Sequence, residues 1–257
     1  MSQSETQLVL QSYDARGVVT LTLNRPERHN ALSEALLDAL QARLDALAQD
    51  GSARVVVLTG AGSSFCAGAD IAEMRSASPG RLGRVLASLD ALPMPSVARV
   101  QGNAFGGALG LIGACDIALG SAEIKLAFSE VRLGIVPAMI APYVVRAVGA
   151  RTARRLFLTA ERFTGEEAAR LGLLHEAMPS GSLDDRMATV VDQLLLGGPQ
   201  AQAEAKRLVS SVAGRDPLRD AGIGRETEAW INRLRASAEG QEGLTAFLEK
   251  RPPGWTR

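Results

Sequence analysis

The sequence contains few cysteines and no long run of like charges. Only Cys66 and Cys115 are present among 257 residues, which excludes a disulfide framework and makes a reducing cytoplasm the expected location. Acidic and basic side chains balance at 28 each, and no basic run exceeds two residues. Basic and aromatic side chains are not interleaved either, so nucleic acid is not expected as a partner.

Long apolar runs are also missing. The uncharged stretches near residues 100–115 and 133–145 contain glycine or proline and fall short of the ~20 residues that a membrane span needs. The first seven residues have no basic region followed by an apolar stretch, so no secretory signal is predicted. The sequence therefore predicts a protein without a membrane anchor.

Several motifs for cofactors are absent. No G-x-x-x-x-G-K-[ST] motif occurs, and the spacing of Gly102, Gly106, Gly107 and Gly110 does not fit G-x-G-x-x-G. No His/Cys/Asp cluster has the spacing of metal ligands. We therefore expect neither a nucleotide phosphate loop of these types nor a bound metal.

The hydrophobic pattern predicts an α/β core followed by helices. Short apolar or alternating runs predict strands at 16–23, 54–59, 96–100, 115–119 and 125–128, and helical periodicity predicts helices at 32–49 and 82–89. Asn30 is a candidate N-cap for the first helix. After Pro137 we expect helices alone, with a capping box at Thr164–Glu167 and helical stretches at 182–197, 200–213, 217–237 and 240–250. The Gly197-Gly198-Pro199 segment suggests a division into a core, 1–195, and a helical region, 196–257.

Residues 101–137 carry the strongest signal for chemistry. Gly106-Gly107 opens a short apolar helix, and the free N–H groups at a helix start can hold an anion. Glu130 stands among Phe, Val, Leu and Ile, where a carboxyl group is expected to have a raised pKa and to act as acid or base. A donor and an acid/base together could support chemistry through an enolate, but a tight turn and an exposed strand-end carboxylate are the alternative interpretations.

Two further side chains are weaker candidates. Cys66 could be a nucleophile with His29 or His175 as its base, but nothing in the local sequence connects them, and a buried small cysteine is favoured. Asp70 follows a small-residue loop, and the simplest role for it is a helix N-cap.

Four segments in order carry a family resemblance. They are Phe65-Cys-Ala-Gly-Ala-Asp70-Ile, Gly102-x-Ala-x-Gly-Gly107, Cys115-Asp-Ile and Ser129-Glu130-Val-x-Leu-Gly134-Ile-x-Pro137. With Asn24-Arg-Pro near the start and Glu239-Gly-Gln-Glu-Gly-Leu in the tail, the chain resembles the enoyl-CoA hydratase/isomerase family, also called crotonases, from about residue 16 to the end.

The resemblance implies a fold and a site. Crotonases have an α/β core made of a spiral of ββα turns and a C-terminal helical trimerisation region, and they form homotrimers or dimers of trimers. Their substrate is an acyl-CoA thioester, and no separate cofactor is needed because CoA is part of that substrate. The catalytic positions that match are the backbone N–H groups of Ala69 and Gly107, which would hold the thioester oxygen, and the acid/base Glu130.

The resemblance also implies the residues that bind the substrate. The loop of Ala67, Gly68, Asp70 and Ile71 would form the wall for adenine and pantetheine, and the segment around Arg28 would pass near the phosphates. Gly106 and Gly110 would adjoin the acyl group. Phe247 and Lys250 match tail positions that approach CoA, in some members from a neighbouring subunit.

Gly110 departs from the pattern of hydratases with two acids, which have a second glutamate there. Glu130 would therefore act alone or with a held water. The chain most resembles the methylglutaconyl-CoA and carboxygeranoyl-CoA (isohexenylglutaconyl-CoA) hydratases, and Gly110 is expected to leave space for a branch at Cβ of the substrate. Arg75, Arg84 and Arg132 are candidates, by sequence proximity alone, for a cation that would bind a distal carboxylate.

We therefore expect hydration of a 3-branched glutaconyl-type CoA thioester. A Δ3,Δ2-enoyl-CoA isomerase is one alternative. A non-catalytic relative that binds acyl-CoA or RNA is another.

Overall fold

The computed structural model describes residues 7–73, 80–213 and 217–256. The strands are β1 (Val9–Tyr13), β2 (Val18–Leu23), β3 (Val55–Gly60), β4 (Ser64–Cys66), β5 (Ser96–Val100), β6 (Asn103–Phe105), β7 (Ile117–Ser121), β8 (Lys125–Ala127), β9 (Phe163–Thr164) and β10 (Glu176–Met178). The helices are α1 (Glu34–Ala48), α2 (Gly80–Asp90), α3 (Gly107–Ala114), α4 (Ala141–Thr159), α5 (Gly165–Arg170), α6 (Leu183–Leu195), α7 (Pro199–Val212), α8 (Pro217–Ala236) and α9 (Ala238–Leu248).

The strands form two sheets. The larger sheet has the order β1-β2-β3-β5-β7-β10, with β1 antiparallel to β2 and every other pair parallel. The smaller sheet has the order β4-β6-β8-β9, in which only β9 is antiparallel to its neighbour. Because a strand of the larger sheet is followed by a strand of the smaller one and then by a helix, the chain winds as repeated ββα turns. The predicted α/β spiral is thus confirmed.

Both faces of the larger sheet are covered. On one face α6 packs Leu183, Met187 and Val190 against valines of β2, β3 and β5. The opposite face joins α1, α2 and α3 in the main hydrophobic core. This explains the continuous apolar run of β3, all six residues of which are buried.

The cap of α1 differs from the prediction. Ser33 is the N-cap, and its hydroxyl oxygen accepts a hydrogen bond from the N–H of Leu36 at 3.2 Å. Asn30 is fully buried, and its amide donates to the backbone oxygens of Ala61 and Ser64 at 2.9 Å each. The prediction of Asn30 as N-cap is wrong because a more distant loop takes its side chain.

The expectation of helices alone after Pro137 is also wrong, since β9 and β10 complete the two sheets. The predicted cap of α5 is confirmed in part. Thr164 accepts a hydrogen bond from the N–H of Glu167 at 3.1 Å. The carboxylate of Glu167 instead pairs with Arg155 and Arg170, so the reciprocal half of the box is not seen.

The four predicted C-terminal helices are present as α6 to α9, and the last three reach back to the core. In α7, Lys206 pairs with Asp116 at 2.7 Å and donates to the backbone oxygen of Met94 at 3.2 Å. Helix α8 contacts α2, and α9 packs on the 3₁₀ turn Glu130–Leu133. The division after residue 195 and a trimerisation role for this region stay predictions. No helix in the described ranges is long and apolar enough to cross a bilayer.

Candidate active site

The segment after β4 runs beside the start of α1 as a short parallel pairing. The N–H of Leu32 donates to the oxygen of Gly68 at 2.7 Å, and the N–H of Asp70 donates to the oxygen of Leu32 at 3.1 Å. Since backbone groups alternate in direction along extended chain, the N–H of Ala69 points away from Leu32. No acceptor among residues 7–73, 80–213 and 217–256 is found for it.

A glycine brings this segment against the start of α3. Gly68 has a φ of +86°, and a Cβ there would lie 2.5 Å from the backbone oxygen of Phe105 and 3.5 Å from the nitrogen of Gly107. Conversely, a Cβ on Gly107 would lie 4.0 Å from the nitrogen of Ala69. Only residues without a side chain allow so close an approach, so the amides of Ala69 and Gly107 lie near each other in the structure. Their expected role in holding the thioester oxygen stays a prediction.

Gly107 is the first residue of α3, and its N–H has no intrahelical acceptor. Gly106 before it has a φ of +52°, and its own N–H is taken by the oxygen of Ala127 at 3.0 Å. The turn therefore leaves the Gly107 N–H without an acceptor in its own helix, close to the nitrogen of Ala69. Two such donors can hold one oxygen atom that becomes negatively charged.

Glu130 lies beside this turn, at the start of the 3₁₀ turn that α9 covers. Its Oε1 is 3.2 Å from where a Cβ on Gly106 would be. The residue as a whole is half-buried, but its Oε2 is sealed from solvent and has no partner among the described residues. Burial raises the pKa of Glu130 from 4.5 to about 7. The alternative of an exposed strand-end carboxylate is therefore wrong.

Apolar side chains surround the amides and the acid. Leu32 and Leu82 each approach within 3.1 Å of a Cβ position on Gly107. A Cβ on Gly110 would lie 2.3 Å from Cγ2 of Ile140, which is 1% exposed. The expectation that Gly110 leaves space for a substrate branch is thus wrong, because Ile140 already fills the place that a larger side chain at 110 would need.

Part of the predicted CoA-binding surface, the loop of Ala67 and Ile71, lies close to the two amides. Ala67 and Ile71 are half-buried on either side of Gly68 and Ala69, and Ile71 packs against a small buried cluster that contains Leu133 and Ile231. Arg28 is exposed in the 3₁₀ turn Pro26–Arg28.

Asp70 is not the helix N-cap that the sequence suggests, and its expected place in the CoA-binding surface stays a prediction. Its carboxylate is paired with Arg25 at 3.2 Å, so it is not free for a substrate cation or donor. Its other oxygen accepts from the N–H of Ala72 at 3.3 Å, which caps a turn rather than a helix.

Phe247 and Lys250 stand at the end of α9. Phe247 is 53% exposed, and Lys250 is exposed with a φ of +54°. No hydrogen bond, ion pair or ring contact joins either side chain to the amides or to Glu130 within the part of the chain that the structure describes. Their expected contact with CoA stays a prediction.

Of the cation candidates, the structure describes Arg84 and Arg132, and no ion pair joins either to Glu130 within the described residues. Arg84 is exposed and lines a groove between α1 and α2 with Arg81 and Asp38. Arg132 is exposed on the 3₁₀ turn that Glu130 begins. Arg75 lies outside the described residues.

Cys66 is not a nucleophile paired with histidine. The side chain is fully buried, and burial raises its pKa to about 12. His29 pairs through Nδ1 with the hydroxyl of Ser64 at 3.2 Å, and His175 Nδ1 accepts from the N–H of Ala118 at 3.1 Å. Within the described residues no group of three His, Cys, Asp or Glu could hold a metal.

Comparison with known proteins decides the family. The profile of the enoyl-CoA hydratase/isomerase family matches residues 14–257. The chain belongs to the enoyl-CoA hydratase/isomerase family. It is 32% identical to the 2,3-dehydroadipyl-CoA hydratase of Escherichia coli, over 92% of this chain and 94% of the relative. It is also 32% identical to the mitochondrial methylglutaconyl-CoA hydratase of Mus musculus, over 93% of this chain and 79% of the relative.

The fold agrees with solved structures of this family. An enoyl-CoA hydratase from Mycobacterium avium has a TM-score of 0.86 and 34% identity, with 97% of this chain and 99% of that chain covered. The crotonase fold is thereby established for this chain. The comparisons support an enzyme of the enoyl-CoA hydratase family, and an acyl-CoA thioester substrate is consistent with that family.

The sequence alone did not indicate two residues around the site. Ile140 follows Gly110 by thirty positions, and no local pattern connects them. Arg25 belongs to the Asn24-Arg-Pro segment, which contributes to the family resemblance but indicates no role for this side chain.

Proposed function

We propose that this enzyme adds water to an α,β-unsaturated CoA thioester with a 3-branched, glutaconyl-type acyl group. The observation that carries the proposal is the buried, unpartnered Oε2 of Glu130 beside the turn where the N–H groups of Ala69 and Gly107 lie near each other. An acid/base and a pair of donors are the groups that chemistry through an enolate requires.

In the proposed reaction Glu130 takes a proton from water while the water oxygen bonds to Cβ of the substrate. The electron pair of the Cα–Cβ double bond moves to form the enolate, whose oxygen is held by the N–H groups of Ala69 and Gly107. The protonated Glu130 then delivers its proton to Cα, and the thioester carbonyl forms again. Each N–H that is lost from such a pair costs about 3 kcal/mol of transition-state stabilisation.

Glu130 works without a second carboxylate at Gly110, because Ile140 and Leu86 fill the space beside that glycine. Ile140 and Leu86 are both apolar, and this supports a substrate whose acyl chain is apolar where it passes near Glu130. A carboxylated acyl group is supported by the relatives, since methylglutaconyl and dehydroadipyl groups both carry a second carboxyl.

The pH dependence follows from the role of the carboxylate. Water is activated by ionised Glu130, and the pKa of this group is raised to about 7 by burial. We therefore expect kcat/KM for hydration to fall with decreasing pH below about 7 and to be level above it.

The decisive experiment offers the purified enzyme a panel of enoyl-CoA thioesters that includes 3-methylglutaconyl-CoA and crotonyl-CoA. Glu130→Gln should lower kcat by at least about 100-fold. Glu166→Gln, a change of an exposed carboxyl on α5, is the matched control and should retain the activity. No product from the panel, or an unchanged rate in Glu130→Gln, would end the proposal.

The isomerase alternative keeps the same groups, with Glu130 carrying a proton between Cα and Cγ. Oxygen-18 water separates the two reactions, because only hydration leaves the label on the β-carbon. A chain that binds acyl-CoA but neither hydrates nor isomerises any member of the panel would be the non-catalytic relative.

We also propose the remaining contacts of the substrate and the assembly. Arg28 and Lys250 are exposed cations suited to CoA phosphates, and Phe247 is suited to the adenine, from the same or a neighbouring subunit. A homotrimer or a dimer of trimers is supported by exposed Leu208, Val209 and Val212 on α7. Analytical ultracentrifugation would measure the oligomeric state. A raised KM for acyl-CoA in Arg28→Gln or Lys250→Gln would support these contacts.

A further inference from the structure

We infer that Arg25 is a positioning residue that sets the direction of the Ala69 N–H, an inference that rests on the proposed function of this N–H as a donor to the thioester oxygen. Arg25 lies two residues after β2, directly before the 3₁₀ turn Pro26–Arg28. It touches no reacting group itself.

The guanidinium of Arg25 bridges the two chain segments that pair at Leu32 and Ala69. Its Nη1 donates to the backbone oxygen of Ala31 at 2.7 Å. Nη1 and Nη2 donate to Oδ2 of Asp70 at 3.2 and 3.3 Å. Ala31 precedes one paired residue and Asp70 follows the other, so a single planar group connects both segments next to the Ala69 amide.

The pair is largely shielded from water. The side chains of Arg25 and Asp70 are 15% and 17% exposed, compared with 19% and 29% for Lys206 and Asp116 and with 38% and 14% for Arg146 and Asp90. Screening by solvent and salt is correspondingly weak, so the contact can hold geometry where a surface pair would not.

Arg25 is itself anchored. Its backbone N–H donates to Oδ1 of Asn30 at 2.9 Å. The amide of Asn30, which is fully buried, donates to the oxygens of Ala61 and Ser64 between β3 and β4. The backbone from which the guanidinium reaches is therefore fixed to the core rather than to a mobile turn.

The Ala69 N–H belongs to the same peptide unit as the oxygen of Gly68, which accepts a hydrogen bond from the N–H of Leu32, so its direction depends on the pairing that Arg25 braces. Gly68 has a φ of +86° and, as a glycine, restricts the direction of the next peptide less than any other residue does. Further along the loop, the carboxylate of Glu73 accepts a hydrogen bond from the N–H of Glu34 at 2.8 Å, which ties the loop to the start of α1. Between these points, Asp70 is the nearest side chain through which the direction of the Ala69 N–H is controlled.

The test compares Arg25→Gln, Arg25→Lys and a matched control, Arg99→Gln. Arg99 is a partly buried arginine of β5 that pairs with Asp184 on α6 at 2.6 Å, away from the loop of Ala69. Lysine retains the charge but cannot donate to Ala31 and Asp70 as a planar fork does. Circular dichroism is used to check that each variant is folded.

The first readout separates kcat from KM, with the best substrate from the panel. We expect Arg25→Gln to lower kcat by about 10- to 100-fold with little change in KM. The reason is that a correctly directed N–H stabilises the transition state, in which charge develops on the oxygen, more than it stabilises the bound substrate. Arg25→Lys should be intermediate, and Arg99→Gln should match the wild type.

The second readout is the infrared band of the thioester carbonyl in bound 13C-labelled butyryl-CoA, a saturated probe with no double bond to hydrate. N–H groups that donate well-directed hydrogen bonds to the thioester oxygen lower the frequency of this band relative to the probe in water. We expect the wild type and Arg99→Gln to show that lowering, Arg25→Gln to lose most of it, and Arg25→Lys to lose part of it. A merely structural role for Arg25 would leave the band unchanged in a folded variant.

The possible results distinguish a failure of the positioning role of Arg25 from a failure of the donor role of the Ala69 N–H. A band that is lowered equally in the wild type and in folded Arg25→Gln refutes the role of Arg25 and leaves the proposed function intact. A band that is not lowered in the wild type refutes the donor role of the Ala69 N–H, and the inference with it. If Arg25→Gln does not fold, Arg25→Lys carries the test, and a wild-type band and kcat in it would overturn the inference.

Discussion

Replacement of Glu130 by glutamine is expected to make the protein less active but more stable at neutral and alkaline pH. Burial raises the pKa of this carboxyl from 4.5 to about 7, so the folded protein binds the proton more tightly than the unfolded chain does. The wild type therefore loses stability as the pH rises through this interval, since folding must then keep a charge in a dry place. Glutamine has no such charge.

The size of the effect follows from the interval. The difference between 4.5 and about 7 corresponds, at about 1.36 kcal/mol per pKa unit, to roughly 3 kcal/mol. Relative to the wild type, Glu130→Gln should thus gain roughly 3 kcal/mol in free energy of unfolding between pH 4.5 and pH 8, with the rise confined to that range. The constant part of the difference, which reflects how the amide packs, does not enter the prediction.

The assay is urea unfolding at a series of pH values from 4.5 to 8.5, with protein concentration held constant because assembly contributes to apparent stability. Glu166→Gln is the control for the loss of one exposed carboxyl. If the difference between Glu130→Gln and the wild type does not change with pH, the carboxyl is not the buried acid on which the proposed chemistry depends.

Three further predictions concern the packing of the core and of α9. Gly110→Glu should cost about 3 kcal/mol in free energy of unfolding, because its Cβ would lie 2.3 Å from Ile140. Adding Ile140→Ala should recover part of this loss in urea unfolding, and a harmless single change would contradict the contact. Gly243→Ala should lower both the melting temperature and kcat, since its Cβ would meet the backbone oxygen of Leu133 at 2.3 Å; unchanged values would show that α9 does not pack as described. Cys66, whose pKa burial raises to about 12, should resist iodoacetamide at pH 8 until the protein is denatured, and peptide mass spectrometry of the folded protein would show any modification that contradicts this.

The sequence predicts best those elements whose burial leaves a periodic or continuous pattern. The strand Val55–Gly60 is buried on both faces and reads as an unbroken apolar run. By contrast, β1 buries only Val9, and β9 and β10 have two and three residues. Such short or exposed strands are defined by their partners in the sheet, and no periodicity in the local sequence can reveal them.

Side chains that act over a distance are equally hidden. Ser33 and Asn30 are both good N-cap residues, and only the packed structure shows that Asn30 is used by carbonyl groups 31 to 35 positions away. The missing second acid at Gly110 is visible in the sequence. That Ile140 occupies the corresponding space is not, and the expectation of an open space fails for this reason.

The candidate site itself is a limiting case, because two of its three central groups are backbone amides. A backbone N–H leaves no side-chain signal, so composition and spacing could indicate a glycine turn and a lone carboxylate but could not decide between a site and a tight turn. The resemblance to the family supplied Ala69 and Gly107, and the geometry brings them together. The lone carboxylate of Glu130 was visible, but its seclusion depends on α9, more than a hundred residues further along the chain.

In a site made largely of backbone groups, the groups that carry out the reaction differ from the side chains that select the substrate. The donors at Ala69 and Gly107 are positioned by glycines and by pairing with Leu32, and these features tolerate any acyl group that reaches them. The side chains nearby come from other elements, with Ile140 beside Gly110 and Met139 against α2. Substitutions at those two positions should therefore change which acyl groups are hydrated while the donors remain in place. Similarity confined to the donor segments accordingly says little about the substrate.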